Sequence, residues 1–290
     1  MKQKTVNSDI RIDGVNVYNG RKNYAIFHPA KENSGINFYL NGEKIKGNLE
    51  NAFHKRKAIF LTNSKKEVGL VEHLLSSVYV LGIDNVDIEL SDGISPTVDN
   101  CAQEYFLKLK DSLVDQDAKK SFWKYSLKIP SVVDFSGIPD RIMVLPSDGF
   151  NLSYYFYYPH HSLGEQAFSF NGDPEIFERE VCDSRPPGFL GKFSGVLSVL
   201  GKMGLHGLNN KNYIFVGNKN EEEIRNPPPF GLKHNGQEPV RHKVLDVLGT
   251  SALTGKQFKD TSLDFYMTGH RSDLFALNKF FSDGVFEEVE

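Results

Sequence analysis

Residues 241–246, RHKVLD, lie in a helix that the spacing of apolar residues predicts over 240–253. His242 and Asp246 are four positions apart, so on a helix their side chains lie one above the other on the same face. An imidazole nitrogen and a carboxylate oxygen arranged in this way can bind one zinc ion. Because a catalytic zinc takes three protein ligands, the spacing predicts a metal site whose third ligand comes from elsewhere in the chain.

Two further clusters carry side chains that suit this chemistry. Glu72 and His73 begin a second predicted helix, and His270 follows a glycine just after a predicted strand. Neighbouring helical residues point about 100° apart, so His73 can bind a metal while Glu72 reaches a water molecule beside it. We therefore predict His73, His242 and Asp246 as zinc ligands that leave a fourth position open. Glu72 is the predicted general base, and His270 is predicted to protonate a leaving amine or to stabilise the oxyanion.

Composition and charge exclude several classes of function. The 290 residues carry a net charge of -3 without a block of five like charges, which gives no electrostatic support for binding nucleic acid or an acidic membrane. Cys101 and Cys182 form no C-x-x-C motif, so a thiolate zinc finger is excluded and a disulfide framework is not expected. The N-terminus lacks a signal peptide and no apolar stretch approaches the roughly 20 residues of a membrane span, so we expect a cytoplasmic protein.

The order of the predicted elements indicates two similar α+β halves. Alternating and apolar runs predict strands over 14–18, 23–27, 86–90, 125–129, 142–145, 152–158, 213–216 and 263–267. Helical periodicity predicts helices over 71–81, 102–114, 174–182, 189–203, 240–253 and 273–281. Gly82 is predicted to end the first helix, because the position after a helix favours glycine. The polar segment 115–120 is the best linker, which predicts domains of residues 1–118 and 123–290.

Several motifs occur in an order that resembles one enzyme family: Glu72-His73-Leu74-Leu75, Gly82-Ile83-Asp84-Asn85, Pro96-x-x-Asp99, His242-Lys243-x-Leu245-Asp246 and Gly269-His270. Over nearly its whole length the sequence is similar to the UDP-3-O-acyl-N-acetylglucosamine deacetylases, the zinc amidases of lipid A biosynthesis. The resemblance implies two α+β domains of similar fold, each a sheet with two helices, packed with the helices inward and the metal at the interface. It also implies the ligands and roles given above, and an amino-sugar substrate with or without a further acyl chain. We expect a monomer.

Departures from the family pattern predict a divergent paralogue. Thr250 stands one helical turn after Asp246, where the family has an aspartate that supports the catalytic histidine, and Asp273 is a candidate replacement. Met267 stands where the family has a lysine that helps to hold the substrate's phosphates. Ser184 aligns with a threonine that helps to bind the substrate carbonyl, which predicts a substrate contact for Ser184. Because the predicted metal ligands are retained while substrate-facing positions change, we expect the same reaction on an altered substrate.

Two functions of different classes follow from these residues. The first is a zinc-dependent amidase that removes an N-acyl group from a nucleotide-linked amino sugar, with Lys243 contacting a phosphate or carboxylate of the substrate. The second is a non-catalytic or regulatory metal-binding paralogue on the same fold. Thr250 supports the non-catalytic function. The retained Glu72 and His270 argue against it, because a binding protein needs neither an acid nor a base. Iron is the alternative to zinc, since His/His/Asp ligation suits both metals.

Overall fold

Helices and strands are interspersed along the chain, and the predicted α+β class is confirmed. The structure is a computed structural model that describes residues 1–135, 137–158, 163–189, 207–217, 226 and 229–290. Within these ranges the α-helices are α1 (Glu72–Val80), α2 (Gln103–Lys110), α3 (Pro174–Glu180), α4 (Glu238–Ala252) and α5 (His270–Ser282). Short 3-10 helices span Leu49–Asn51 and His234–Gly236.

A five-stranded sheet forms the centre of the first half of the chain. Its spatial order is β2 (Ile10–Val15), β3 (Lys22–Pro29), β9 (Val86–Leu90), β4 (Ile36–Leu40) and β5 (Glu43–Lys46). Neighbouring strands are antiparallel except β4 and β9, which run parallel with Phe38 opposite Ile88. A parallel pair needs a crossover connection, and the chain between β4 and β9 contains α1.

The second half repeats this topology. Its five-stranded sheet has the spatial order β12 (Ser131–Asp134), β13 (Arg141–Pro146), β19 (Thr261–Tyr266), β14 (Phe150–Tyr158) and β15 (Gly164–Phe170). Again the only parallel neighbours in the sheet are its third and fourth strands, β19 and β14. The crossover between β14 and β19 contains α4. Thus α1 and α4, which carry the predicted metal ligands, hold equivalent places in the two halves.

Smaller sheets lie before each of these helices and at the chain ends. Before α1 come β6 (Ala52–Lys55), β7 (Ala58–Thr62) and β8 (Glu67–Gly69), and before α4 come β16 (Pro187–Phe189) and β17 (Ile214–Val216). The remaining sheets pair β1 (Lys2–Val6) with β10 (Leu113–Lys119), and β11 (Phe122–Tyr125) with β18 (Phe258–Lys259) and β20 (Phe286–Val289).

Helices α1 and α4 pack directly against each other, and every residue of α1 is buried. They approach closely at Gly249, where a Cβ atom would lie 2.0 Å from the carbonyl oxygen of Glu72. Only a residue without a side chain allows two helix backbones to approach so closely. Gly249 therefore lets the first turn of α1 lie beside the part of α4 that carries Asp246.

The free energy of unfolding of the Gly249→Ala variant is expected to be about 1–3 kcal/mol lower than that of the wild type, because the added methyl group forces α1 and α4 apart. Helix propensity alone would make the variant more stable, since alanine in a helix is more favourable than glycine by about 1 kcal/mol. Urea denaturation measures the difference. Gly231→Ala is the matched control, because a Cβ there meets nothing within 4 Å. Equal stability of the Gly249→Ala protein and the wild type would contradict the close approach.

Most predicted elements are confirmed within a few residues, including the helix that Gly82 ends with a φ of 68°. Three predictions were wrong. The strand predicted over 14–18 overlaps β2 only at Gly14 and Val15. The polar segment 115–120, taken as a linker, lies largely in β10, where it pairs with β1. The strand predicted over 125–129 is displaced to Phe122–Tyr125, where β20 and β18 provide its hydrogen-bond partners. The domain limits stay a prediction, and the helix over 189–203 falls almost wholly outside the described residues. Among the helices of the described ranges, none is long and apolar enough to cross a membrane.

Candidate metal centre

The three predicted ligands come together where α1 meets α4. The ligand atoms of His73, His242 and Asp246 all lie within 4.8 Å of one another, and the three residues are buried. Asp246 Oδ1 lies 3.3 Å from His242 Nε2 and 3.6 Å from His73 Nε2. Two of these residues share a face of α4, as their spacing predicts, whereas the packing of α1 supplies the third.

The donor set fits a divalent metal ion. Asp246 Oδ1 is buried and has no hydrogen-bond partner among the described residues, although it lies near two imidazole nitrogens. His242 Nδ1 lies 2.9 Å from the carbonyl oxygen of Ser184, so this nitrogen donates the hydrogen and Nε2 presents its lone pair to the cluster. Burial lowers the pKa of His242 to about 4, which keeps the imidazole in the neutral form that binds metals. A bound cation would satisfy the unpaired carboxylate oxygen.

Lys243 holds the other oxygen of the same carboxylate. Its Nζ lies 3.2 Å from Asp246 Oδ2. Burial would raise the pKa of Asp246, but His242 and Lys243 together hold it well below its ordinary value. The carboxylate is therefore anionic, as a metal ligand must be, and its second oxygen is turned away from the two imidazoles.

Glu72 and His270 lie beside this group. His270 Nε2 is 3.6 Å from Glu72 Oε1 and 3.9 Å from Asp246 Oδ2. The backbone N–H of Ile59 donates to Glu72 Oε2 at 3.0 Å, which fixes the orientation of the carboxyl group. Burial raises the pKa of Glu72 to about 7 and lowers that of His270 to about 3. All five predicted metal and acid–base residues are thus brought together at one site.

A cavity of about 350 Å³ opens over these residues. Its walls include Tyr18, Leu70, Phe156, Pro186, Pro187, Leu208 and Tyr213. Lys243, His270, Glu72 and the three ligands line the inner part. A pocket of this size that combines apolar side chains with charged and polar groups is typical of a site for a small organic substrate.

Ser184 does not line this cavity. The residue is fully buried, its hydroxyl group lacks a hydrogen-bond partner among the described residues, and its carbonyl group orients His242. The substrate contact predicted for its hydroxyl group stays a prediction. The two prolines that follow, Pro186 and Pro187, reach the cavity instead. The backbone of residue 184 supports the ligand, which alignment of side chains cannot reveal.

Thr250 and Asp273 do not replace the missing carboxylate. The Thr250 hydroxyl donates to the carbonyl oxygen of Asp246 at 2.9 Å, within its own helix. His270 Nδ1 is buried without a hydrogen-bond partner in the described part of the chain, so Asp273 does not orient this imidazole. The sulfur of Met267 accepts a hydrogen bond from the N–H of Tyr157 at 2.9 Å.

Sequence reasoning missed the basic turn that forms one wall of the cavity. Arg56 and Lys57 connect β6 to β7 and line the same cavity as the predicted ligands. The Arg56 guanidinium lies over the ring of Tyr18, 5.2 Å from its centroid. The available signal was two long cationic residues at a turn position that favours asparagine and glycine.

The repeated α+β fold and the buried His/His/Asp group define the class of protein as a candidate metallohydrolase, and comparison with known proteins identifies the family. Residues 3–282 match the UDP-3-O-acyl N-acetylglycosamine deacetylase family. The chain belongs to this family, so the predicted resemblance is confirmed. Deacetylases hydrolyse a linear amide, which also confirms the predicted class of enzyme.

Curated relatives cover almost the whole chain. A protein of Aquifex aeolicus named UDP-3-O-acyl-N-acetylglucosamine deacetylase is 28% identical over 267 residues, which are 91% of this chain and 87% of the relative. A protein of the same name from Neisseria gonorrhoeae is 31% identical over 281 residues, 93% and 87% of the two chains. Another from Syntrophus aciditrophicus is 29% identical over 295 residues, 99% and 87%.

Proposed function

We propose that this protein is a zinc-dependent deacetylase that hydrolyses the N-acyl group of a nucleotide-linked amino sugar. The observation that carries the proposal is the buried group of His73, His242 and Asp246 with Glu72 and His270 beside it, at the inner end of an open cavity. The names of the relatives supply the substrate class, UDP-3-O-acyl-N-acetylglucosamine. The non-catalytic alternative is not favoured, because the acid–base pair is complete.

His73, His242 and Asp246 would hold the metal ion. When bound, zinc supplies a Lewis acid that polarises the amide carbonyl and lowers the pKa of water toward about 7. The Ser184 carbonyl group keeps His242 in the tautomer that binds metal, and Lys243 keeps Asp246 in its orientation. These contacts position the ligands before the substrate arrives.

Glu72 and His270 would move the protons. Glu72 accepts a proton from the water molecule that attacks the acyl carbon, so a C–O bond forms while its carboxyl group becomes neutral. His270 faces Glu72 Oε1 across 3.6 Å and stabilises the negative charge that develops on the carbonyl oxygen. When the C–N bond breaks, the amine takes up the proton from Glu72 or through His270. The products are a free amino sugar and a carboxylate.

The finer predictions about the substrate remain part of the proposal. Phe156, Leu70 and Leu208 give the cavity an apolar surface that suits an acyl chain. Lys243 lines the cavity beside the predicted ligands, which supports its contact with a phosphate or carboxylate of the substrate. A divergent substrate, iron in place of zinc, a monomeric state and a cytoplasmic location are retained as predictions.

Removal of the metal is expected to abolish hydrolysis reversibly. Purified protein is treated with dipicolinate, its metal content is measured by mass spectrometry, and acetate release from UDP-3-O-acyl-N-acetylglucosamine is followed before and after zinc is restored. We expect about one metal ion per chain and recovery of activity with zinc or ferrous iron, since both suit this ligand set. Full activity in metal-free protein would contradict the proposed function.

A further inference from the structure

We propose that the turn Arg56-Lys57 binds the phosphate groups of the substrate. The proposal rests on the proposed function, since it takes the substrate to be a nucleotide-linked sugar. It assigns to this chain an anion-binding element in the lining of this cavity, built by the β6–β7 hairpin.

The first observation is the backbone of this turn. Lys55 pairs with Ala58, so the hairpin loop contains only two residues. Arg56 has a φ of 51° and Lys57 a φ of 61°. Two consecutive residues with positive φ are typical of the type I′ turn, which strongly favours Asn-Gly or Asp-Gly. Long side chains adopt this conformation with strain, and strained backbone concentrates at functional sites.

A second hairpin in the same chain provides an internal comparison. Leu40 pairs with Glu43 across the β4–β5 turn, which also contains two residues, Asn41 and Gly42. Their φ values are 52° and 79°. The same backbone geometry therefore carries the favoured residues at a turn outside the cavity of the metal centre. At the metal centre it carries two cations instead.

The third observation is the position and charge of the two side chains. Arg56 and Lys57 are exposed, line the cavity of the metal centre, and form no ion pair with any residue that the structure describes. The acidic residues in the same lining are Glu72 and Asp246, which lie buried at its inner end. The Arg56 guanidinium lies over the ring of Tyr18, which lines the same cavity.

These features match the chemistry of a phosphate group. A guanidinium group offers paired N–H donors that fit phosphate oxygens, and a lysine ammonium adds a second positive charge. A cationic rim on a chain of net charge -3 also attracts an anionic substrate to the cavity. Lys243 lies at the inner end, so a diphosphate at the rim would place the sugar between the turn and the metal centre.

The test replaces the turn with the residues that its geometry favours, in the double variant Arg56→Asn and Lys57→Gly. Binding of UDP and of uridine to the zinc-loaded protein is measured by calorimetry at two salt concentrations. We expect UDP to bind the wild type more tightly than uridine does, with an affinity that falls as salt rises. The variant should bind UDP at least about 10-fold more weakly, with little change for uridine, while its melting temperature rises by about 2–4 °C because the strain is removed.

The matched control is the double variant Asn41→Arg and Gly42→Lys, which places the same two cations in the other turn. It should lower the melting temperature without affecting UDP binding. Equal UDP affinity in the wild type and the Arg56→Asn, Lys57→Gly protein would overturn the proposal. A fall of both affinity and melting temperature in that protein would also overturn it, because the turn would then be structural. Loss of UDP affinity supports the anion site even if no N-acyl sugar is hydrolysed, in which case the proposed function alone fails.

Discussion

The Asp246→Asn variant is expected to lose bound metal and hydrolysis together. The carboxylate provides one ligand atom, and the neutral amide is a much weaker ligand for zinc. Loss of an outer partner of a metal ligand costs about 10–100-fold in affinity, so loss of the ligand itself should cost more than about 100-fold. Metal content after dialysis against a weak chelator and the rate of acetate release measure the two effects.

Asp273→Asn is the control for this experiment. Asp273 is also buried in this region, and burial raises its pKa to about 7, so an amide replaces a carboxyl group that is partly neutral already. Its Oδ1 atom has no hydrogen-bond partner among the described residues, and it belongs to none of the ligand positions. The Asp273→Asn protein should retain its metal. An Asp246→Asn protein with a full complement of zinc would show that the ion binds elsewhere.

The Glu72→Gln variant is expected to retain its metal and its fold but to hydrolyse the amide about 10²–10⁴ times more slowly, the usual contribution of a general base. Glutamine has the same shape, and its side-chain oxygen can still accept the hydrogen bond from Ile59 N–H. It cannot accept a proton from water. The loss should therefore appear in kcat, with little change in the zinc content or the melting temperature.

Glu67→Gln is the matched control, because Glu67 is an exposed glutamate on the neighbouring strand β8. This variant should hydrolyse the substrate at the wild-type rate. If the Glu72→Gln protein were equally active, the proposed base would be wrong. If it lost zinc as well as activity, Glu72 would act by holding the metal centre together.

The sequence predicted the fold well where its signal is local. Apolar residues over 71–81 and 240–253 repeat with the period of a helix, and both helices are present. Predictions failed where pairing with distant strands determines the structure. The segment 115–120 is polar because β10 has exposed positions, yet β1 supplies the hydrogen bonds that make it a strand.

Prediction of the site had a similar limit. The predicted metal ligands and the predicted acid–base pair lie close together, because each residue belongs to a motif that specifies its side chain. Ser184 was assigned by its side chain, whereas its backbone carbonyl group contacts the ligand His242. Every residue carries such a group, so residue type gives no signal for this contact. Asp273 was a candidate partner for His270, but the folding of α5 leaves His270 Nδ1 without a partner among the described residues.

The sequence by itself determined that His242 and Asp246 share one helix face, because residues four apart on a helix are neighbours whatever surrounds them. It also determined the two α+β halves, since hydrophobic periodicity specifies local elements. Only the tertiary structure decided that α1 approaches α4 at Gly249, which brings His73 to His242 and Asp246. It also decided that Arg56 and Lys57 line the same cavity as these residues. Contacts between distant segments depend on the packing of the whole core, which local periodicity does not encode.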